Sequence, residues 1–216
     1  LLRSRRQPEY LRHVGERFGG YDIDPGQALI WLHAVSVGET RAAQPLVNAL
    51  KARYPGHRIL LTHMTPTGRQ ASEELFGDGV LRAYLPYDYP FAVRRFLAHF
   101  RPAVGVIMET ELWPNLVQAC KAQGIPLLLA NARLSEKSAR RYARFPNLTR
   151  RALRDLAGIA AQTEQDAARL AALGAPEVTV LGNVKFDILP PPEFLLEANL
   201  AALELVAAVV HHAPQA

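Results

Sequence analysis

Seven short, continuously apolar runs, separated by stretches of helical periodicity, constrain this chain more than any other feature. The runs cover 28–34, 58–64, 80–86, 104–108, 126–130, 158–162 and 178–181, with helical stretches at 39–54, 68–76, 90–100, 113–123, 136–156 and 164–173. Strands that do not alternate between apolar and polar residues need cover on both faces. Repeated β-α-β units with short connections supply that cover and dictate an α/β fold, a Rossmann-like doubly wound parallel sheet. Local punctuation agrees. Thr67-x-x-Gln70 reads as a capping box, Ser135 and Thr163 read as N-caps, and Gly124 and Gly174 stop their helices.

Ligands of such a sheet gather at the carboxyl ends of the strands. The polar residues there are Ser36, Gly38 and Glu39 after the first run, Thr65, Thr67 and Gly68 after the second, and Asp88 after the third. Glu109, Glu111, Trp113 and Asn115 follow the fourth, Asn131, Arg133 and Ser135 the fifth, Gln162 the sixth, and Gly182, Asn183 and Lys185 the seventh. The stretch Leu29–Leu46 runs from an apolar strand through small residues into a helix that carries Glu39 in its first turn. The helix dipole favours the ionised form of a carboxylate placed there, so Glu39 is expected to be charged at neutral pH. It is either a general base or an ordinary first-turn acid. Glu109 directly follows VGVIM and costs free energy unless it is paired, for instance with Arg133, or functional.

Several chemistries are excluded. No G-x-G-x-x-G or G-x-x-x-x-G-K-[ST] pattern occurs, no histidine pair has metal-ligand spacing, and Ser36 lacks the glycines of a nucleophile elbow. The lone Cys120 forms no internal disulfide and reads as inert core, while His33 and His63 read as core imidazoles. No apolar run reaches the length of a membrane span. The formal net charge of +5, mostly from arginine, attracts phosphate, nucleic acid or anionic lipid without choosing among them.

Seven blocks resemble, in order, one family, the 3-deoxy-D-manno-octulosonic acid (Kdo) transferases of lipopolysaccharide synthesis. They are HAVSVGE (33–39), THMTPTG (62–68), LPYD (85–88), METELWPN (108–115), NARLSEKS (131–138), AAQTEQDAARLAALGA (160–175) and GNVKFD (182–187). The resemblance implies the amino-terminal, acceptor-binding half of a GT-B glycosyltransferase. Such an enzyme passes Kdo from CMP-Kdo to a glucosamine 6′-hydroxyl of the lipid A precursor, with inversion and without a metal. No cofactor is implied beyond the donor substrate CMP-Kdo, held mainly by the opposite domain. By match to HAVSVGE, Glu39 is the general base, with Glu109 or Glu111 steadying the oxocarbenium-like donor. Substrate binding is expected of Ser36, Gly38, Thr65, Thr67, Gly68, Asn115, Asn131, Arg133, Ser135 and Lys185.

The resemblance divides the chain into a basic amino-terminal segment (1–27), the acceptor domain (28–187), and a proline hinge with an apolar helix (188–216). A membrane anchor is expected before Leu1, and the donor domain is expected to be missing, so that the isolated chain binds acceptor but transfers poorly or not at all. The implied setting is the cytoplasmic face of a bacterial inner membrane. Arg3, Arg5, Arg6, Arg12 and Arg17, together with Arg140, Arg141, Arg144, Arg150, Arg151 and Arg154, are read as either an anionic-membrane contact or a solvated face. Nucleic-acid binding is not expected, because the positive charge comes without a recognition motif. The oligomeric state stays open. The alternative class is a non-catalytic lipid- or phosphate-binding module of glycosyltransferase-like fold.

Overall fold

The computed structural model describes residues 8–26, 28–182, 204 and 207. Seven parallel strands form one sheet in the order β3-β2-β1-β4-β5-β6-β7. They are β1 (Leu29–His33), β2 (Arg58–His63), β3 (Leu81–Tyr84), β4 (Val104–Met108), β5 (Leu127–Ala132), β6 (Gly158–Ala161) and β7 (Thr179–Val180). The helices are α1 (Val37–Arg53), α2 (Pro66–Phe76), α3 (Pro90–Phe100), α4 (Pro114–Ala122), α5 (Glu136–Tyr142), α6 (Pro146–Asp155) and α7 (Glu164–Ala172). Every apolar run is a strand of the expected type.

Side chains of opposite parity feed two cores. On one face Ile30, Leu32, Ile59, Leu61, Val106 and Leu128 meet Leu46, Val47 and Leu50 of α1. Helical Ala207, from the carboxyl-terminal stretch, lies against this same core. On the other face Trp31, Leu60, Ile107 and Leu129 meet Phe96 and Leu97 of α3, Val117 of α4, Leu153 of α6 and Leu170 of α7. Trp31 finds room because its neighbour across β4 is Gly105, where a Cβ would lie 2.6 Å from the indole ring.

Three expectations change. The helical stretch 136–156 is two helices, because Pro146 has no N–H to give and holds Phe145 out of the helical region, at φ −125° and ψ 65°. The capping residue of α2 is Thr65 rather than Thr67. Its Oγ1 accepts the Gly68 N–H at 3.1 Å, and Pro66 occupies the first turn, where its missing N–H costs nothing. Arg17 is no surface cation. It is 2% exposed, stacks 4.1 Å over the Tyr84 ring and donates to the Met64 carbonyl at 3.1 Å. Beside it, buried Glu16 accepts from Arg69 at 2.9 Å and from the Tyr84 N–H at 2.6 Å. The segment before the sheet thus wedges between α2 and β3. Its first seven residues, and most of the expected helix at 194–212, lie outside the described residues.

Candidate active site at the switch point of the sheet

Strand order reverses between β1 and β4. The chain leaves β1 toward β2 on one side and leaves β4 toward β5 on the other, so the two connections part and open a crevice. Glu39 stands at the mouth of the first connection, Glu109 and Glu111 at the mouth of the second. All three carboxylates expected from sequence therefore share one site, and the charges of Glu109 and Glu111 both reach Glu39.

Glu39 is fixed by its own helix end. Ser36 is the N-cap of α1, and its Oγ accepts the Glu39 N–H at 3.4 Å. In return the Glu39 carboxylate accepts from Ser36 Oγ at 2.9 Å and from the Val35 N–H at 2.7 Å. This reciprocal arrangement is a variant of the capping box in which the carboxylate reaches the N–H of Val35, one residue before the N-cap, and Ser36-x-x-Glu39 was its legible signal. The first-turn acid and the candidate base are one residue. Glu39 is only 9% exposed. Burial pushes its pKa up to about 7, hydrogen bonds from Val35 and Ser36 oppose the rise, and the Glu109 and Glu111 charges add to it. The expectation of a fully ionised carboxylate at neutral pH is thus corrected. Desolvation outweighs the helix dipole, leaving a group poised between its two forms near pH 7, where a general base works best.

The opposite wall is strained and incompletely paired. Glu109 and Asn131, at the ends of neighbouring strands, both adopt left-handed backbone, with φ 57° and 54°. Such conformations cost non-glycine residues free energy and concentrate at functional sites. The register of β5 against β6 shifts between Leu129 and Ala132, which lets Asn131 break the strand pattern. Burial also raises the pKa of Glu111, opposed by the adjacent Trp113 side chain. Asn131 Oδ1 and His33 Nε2 are buried polar atoms without a protein hydrogen-bond partner. The His33 ring lies edge-on to Trp113, with centroids 6.2 Å apart. Its Nδ1 lies 2.9 Å from Thr62 Oγ1 and 3.1 Å from the Thr62 carbonyl. That carbonyl only accepts, so the proton is assigned to Nδ1 and the Nε2 lone pair is left free. Burial, then the neighbouring His63, holds the His33 pKa down at about 3, so the ring is neutral. His33 and His63 are core imidazoles as expected, yet each keeps one unpaired nitrogen. Unpaired atoms of this kind suit ordered water or the hydroxyls of a ligand.

The remaining candidates divide by role. Thr65 and Gly68 brace the Glu39 turn from behind. Thr65 Oγ1 donates to the Val35 carbonyl at 3.0 Å, and a Cβ on Gly68 would come within 3.0 Å of that oxygen. Gly38 is exposed and has open space around its Cβ position, so packing does not demand a glycine there. Thr67 is exposed, with its hydroxyl 3.4 Å from that of Thr65. Asn115 is tied to Asp88. Its Nδ2 donates to the Asp88 carbonyl at 2.6 Å, while the Asp88 carboxylate caps α4 through the N–H groups of Asn115 and Leu116 at 3.0 and 2.9 Å. Arg133 forms no ion pair with Glu109. Its backbone carbonyl accepts Thr110 Oγ1 at 2.6 Å, and its side chain lines a separate cleft of about 390 Å³ with Ser135, Gln162 and Arg169. Ser135 caps α5. Asn183 and Lys185 lie outside the described residues. Cys120 is inert as expected, its thiol buried and pushed up to about 12.

This is a Rossmann-like doubly wound parallel domain in which buried Glu39 and the partly buried Glu109 and Glu111 gather at the switch point. The family model described as 3-deoxy-D-manno-octulosonic-acid transferase (kdotransferase) matches residues 12–188, and the chain belongs to that family of glycosyltransferases. It is 50% identical over 180 residues to the 3-deoxy-D-manno-octulosonic acid transferase of Bordetella pertussis, covering 81% of this chain and 42% of that protein. It is 40% identical over 199 residues to the Haemophilus influenzae enzyme of the same name, covering 90% and 46%. The chain thus spans less than half the length of these curated relatives. Among solved structures it resembles the UDP-GlcNAc 2-epimerase of Neisseria meningitidis bound to UDP-GlcNAc, with TM-score 0.51 and 16% identity, over 83% of this chain and 50% of that one. That likeness concerns the fold alone, the Rossmann-like sheet of one GT-B half.

Proposed function

We propose that this chain is the acceptor-binding half of a Kdo transferase that passes Kdo from CMP-Kdo to a lipid A precursor, with Glu39 as general base. The observation that carries the reading is Glu39 itself, a carboxylate held by two hydrogen bonds and pushed by burial to about 7 beside two further carboxylates. In this reading the acceptor hydroxyl gives its proton to Glu39 as its oxygen attacks the anomeric carbon of Kdo. The bond from that carbon to the CMP oxygen breaks, and the nucleotide leaves with the electron pair. Attack from the face opposite the leaving group inverts the centre. Glu109 and Glu111 place negative charge where the sugar develops positive charge. CMP-Kdo would be held mainly by a second domain.

The test supplies the carboxyl-terminal half of the B. pertussis relative in trans and follows Kdo transfer to lipid A precursor. Transfer is expected with the natural chain and absent with Glu39→Gln, while acceptor binding persists in both. Transfer at an undiminished rate in Glu39→Gln would remove Glu39 from the chemistry. The second reading, a non-catalytic module that binds lipid or phosphate at an anionic membrane surface, draws on the arginine-rich segment 136–155. It predicts acceptor binding with no complementation at all. No helix among the described residues is long and apolar enough to cross a membrane, so on either reading these residues would meet a bilayer only at its surface.

A further inference from the structure

The end of β2 reaches back to the turn that carries Glu39. Fully buried His63 lies with its Nδ1 2.8 Å from the Ala34 carbonyl. A carbonyl only accepts, so the ring proton sits on Nδ1 and His63 donates it. The Ala34 carbonyl belongs to the same peptide unit as the Val35 N–H, which donates to Glu39 Oε2 at 2.7 Å. Thr65 Oγ1 holds the next peptide unit by donating to the Val35 carbonyl at 3.0 Å. Met64, between these two residues, is fixed from the amino-terminal wedge, because its carbonyl accepts from Arg17 Nη2 at 3.1 Å.

A peptide plane pinned at its oxygen leaves its N–H one direction, and here that direction is the Glu39 carboxylate. A carbonyl that accepts a hydrogen bond also polarises its own amide, which strengthens the bond that the N–H gives. The His63 ring is a neutral donor. Burial first, then the charges of Arg69 in α2 and Arg82 in β3, hold its pKa down at about 4 against the Ala34 bond. The ring therefore keeps one charge state across the range in which Glu39 titrates. The Val35 N–H matters because Glu39 has little other support. Ser36 Oγ, at 2.9 Å, is its other side-chain donor among the described residues, and the charges of Glu109 and Glu111 oppose its ionised form.

We propose that His63 and Thr65 are positioning residues for Glu39, holding the two peptide units on either side of Val35 so that its N–H meets the carboxylate. His63 is then more than a core imidazole, and the β2–α2 connection is part of the acid–base apparatus although neither side chain touches a reacting atom. The consequence for transfer rests on the reading of Glu39 as the general base; the frame itself does not.

Carbon-13 titration of the labelled Glu39 carboxylate in the full chain tests the frame. His63→Leu fills a similar volume and removes a neutral ring, so a shift reports a lost hydrogen bond and not a lost charge. It should raise the midpoint from about 7 toward about 8, an increase of about tenfold in proton affinity, because the ionised carboxylate loses its Val35 support. Thr65→Val should move the midpoint in the same direction. His63→Asn, whose amide nitrogen can stand near the Nδ1 position, and Thr65→Ser should bring it back to about 7. A midpoint that stays at about 7 in both His63→Leu and Thr65→Val would overturn the proposal. So would a raised midpoint that His63→Asn and Thr65→Ser fail to restore. If His63→Leu does not fold, the two Thr65 variants decide. With the donor half supplied in trans, the acid limb of the pH dependence of kcat/KM should move to higher pH with the midpoint. An unmoved midpoint counts against the frame whatever the transfer rate, whereas undiminished transfer by Glu39→Gln counts against the base and leaves the frame standing.

Discussion

Replacing Glu39 with glutamine separates its charge from its shape. The amide oxygen can still accept the Val35 N–H, and nothing at the position ionises. In the native protein burial raises the Glu39 pKa from 4.5 to about 7. The sign follows directly, because a raised acid binds its proton more tightly folded than unfolded. Its neutral form contributes fully below pH 4.5, and that contribution is lost as pH rises from 4.5 toward 7. Moving a pKa from 4.5 to about 7 corresponds to about 3 kcal/mol. Most of it is expressed between pH 5 and 8.5, where the Glu39→Gln variant should gain about 2.5 kcal/mol on the natural protein. Urea unfolding at the two pH values measures the gap, about 1 M in midpoint for a slope near 2.5 kcal/mol/M. Carbon-13 titration of the labelled carboxylate should give the same midpoint near 7. Because Glu109 and Glu111 lie close, that value belongs to the cluster, and Glu111→Gln should lower it. A gap that stays constant with pH, or closes as pH rises, would refute the claim that burial governs Glu39.

Other substitutions probe the frame. Gly68→Ala forces a methyl against the Val35 carbonyl and should cost about 1–3 kcal/mol in thermal or urea unfolding, while Gly38→Ala has open space and should be nearly neutral. Asp88→Ala removes the carboxylate that caps α4 while its backbone carbonyl still accepts Asn115 Nδ2, and about 1–2 kcal/mol of stability should go with the cap. Glu16→Ala strands Arg69 and the buried Tyr84 N–H, and denaturant unfolding should show a loss of about 3 kcal/mol; a loss below about 1 kcal/mol would show that the wedge is dispensable.

The sheet was legible because its signal is local and repeated. Residues 29–33, 58–63 and 104–108 need no distant information to be read as buried strands. Parallel strands joined by helices leave little freedom of topology, while the strand order, and with it the switch point between β1 and β4, is set by the tertiary structure. What local patterns hid were competing local rules. Pro146 breaks a stretch whose apolar period runs straight through it, and Ser36-x-x-Glu39 hides a variant capping box inside a candidate catalytic motif.

By itself, the sequence determined the strands, their parallel arrangement and the set of carboxylates at their ends, because hydrophobic period and connection length act over a few residues. Family membership was equally legible in the seven ordered blocks. Only the tertiary structure decided what each polar residue does there. Asn115 and Asp88 close a helix end, Thr65 and Gly68 brace a turn, and Arg17 is buried beneath the Tyr84 ring. Glu39 changes most. Its helix end alone predicts a charged group, and only the packing of β1, β2 and β4 around it reveals the desolvation that brings it to about 7. Desolvation is set by everything that surrounds a group, most of it far away in the chain, and no local pattern records it.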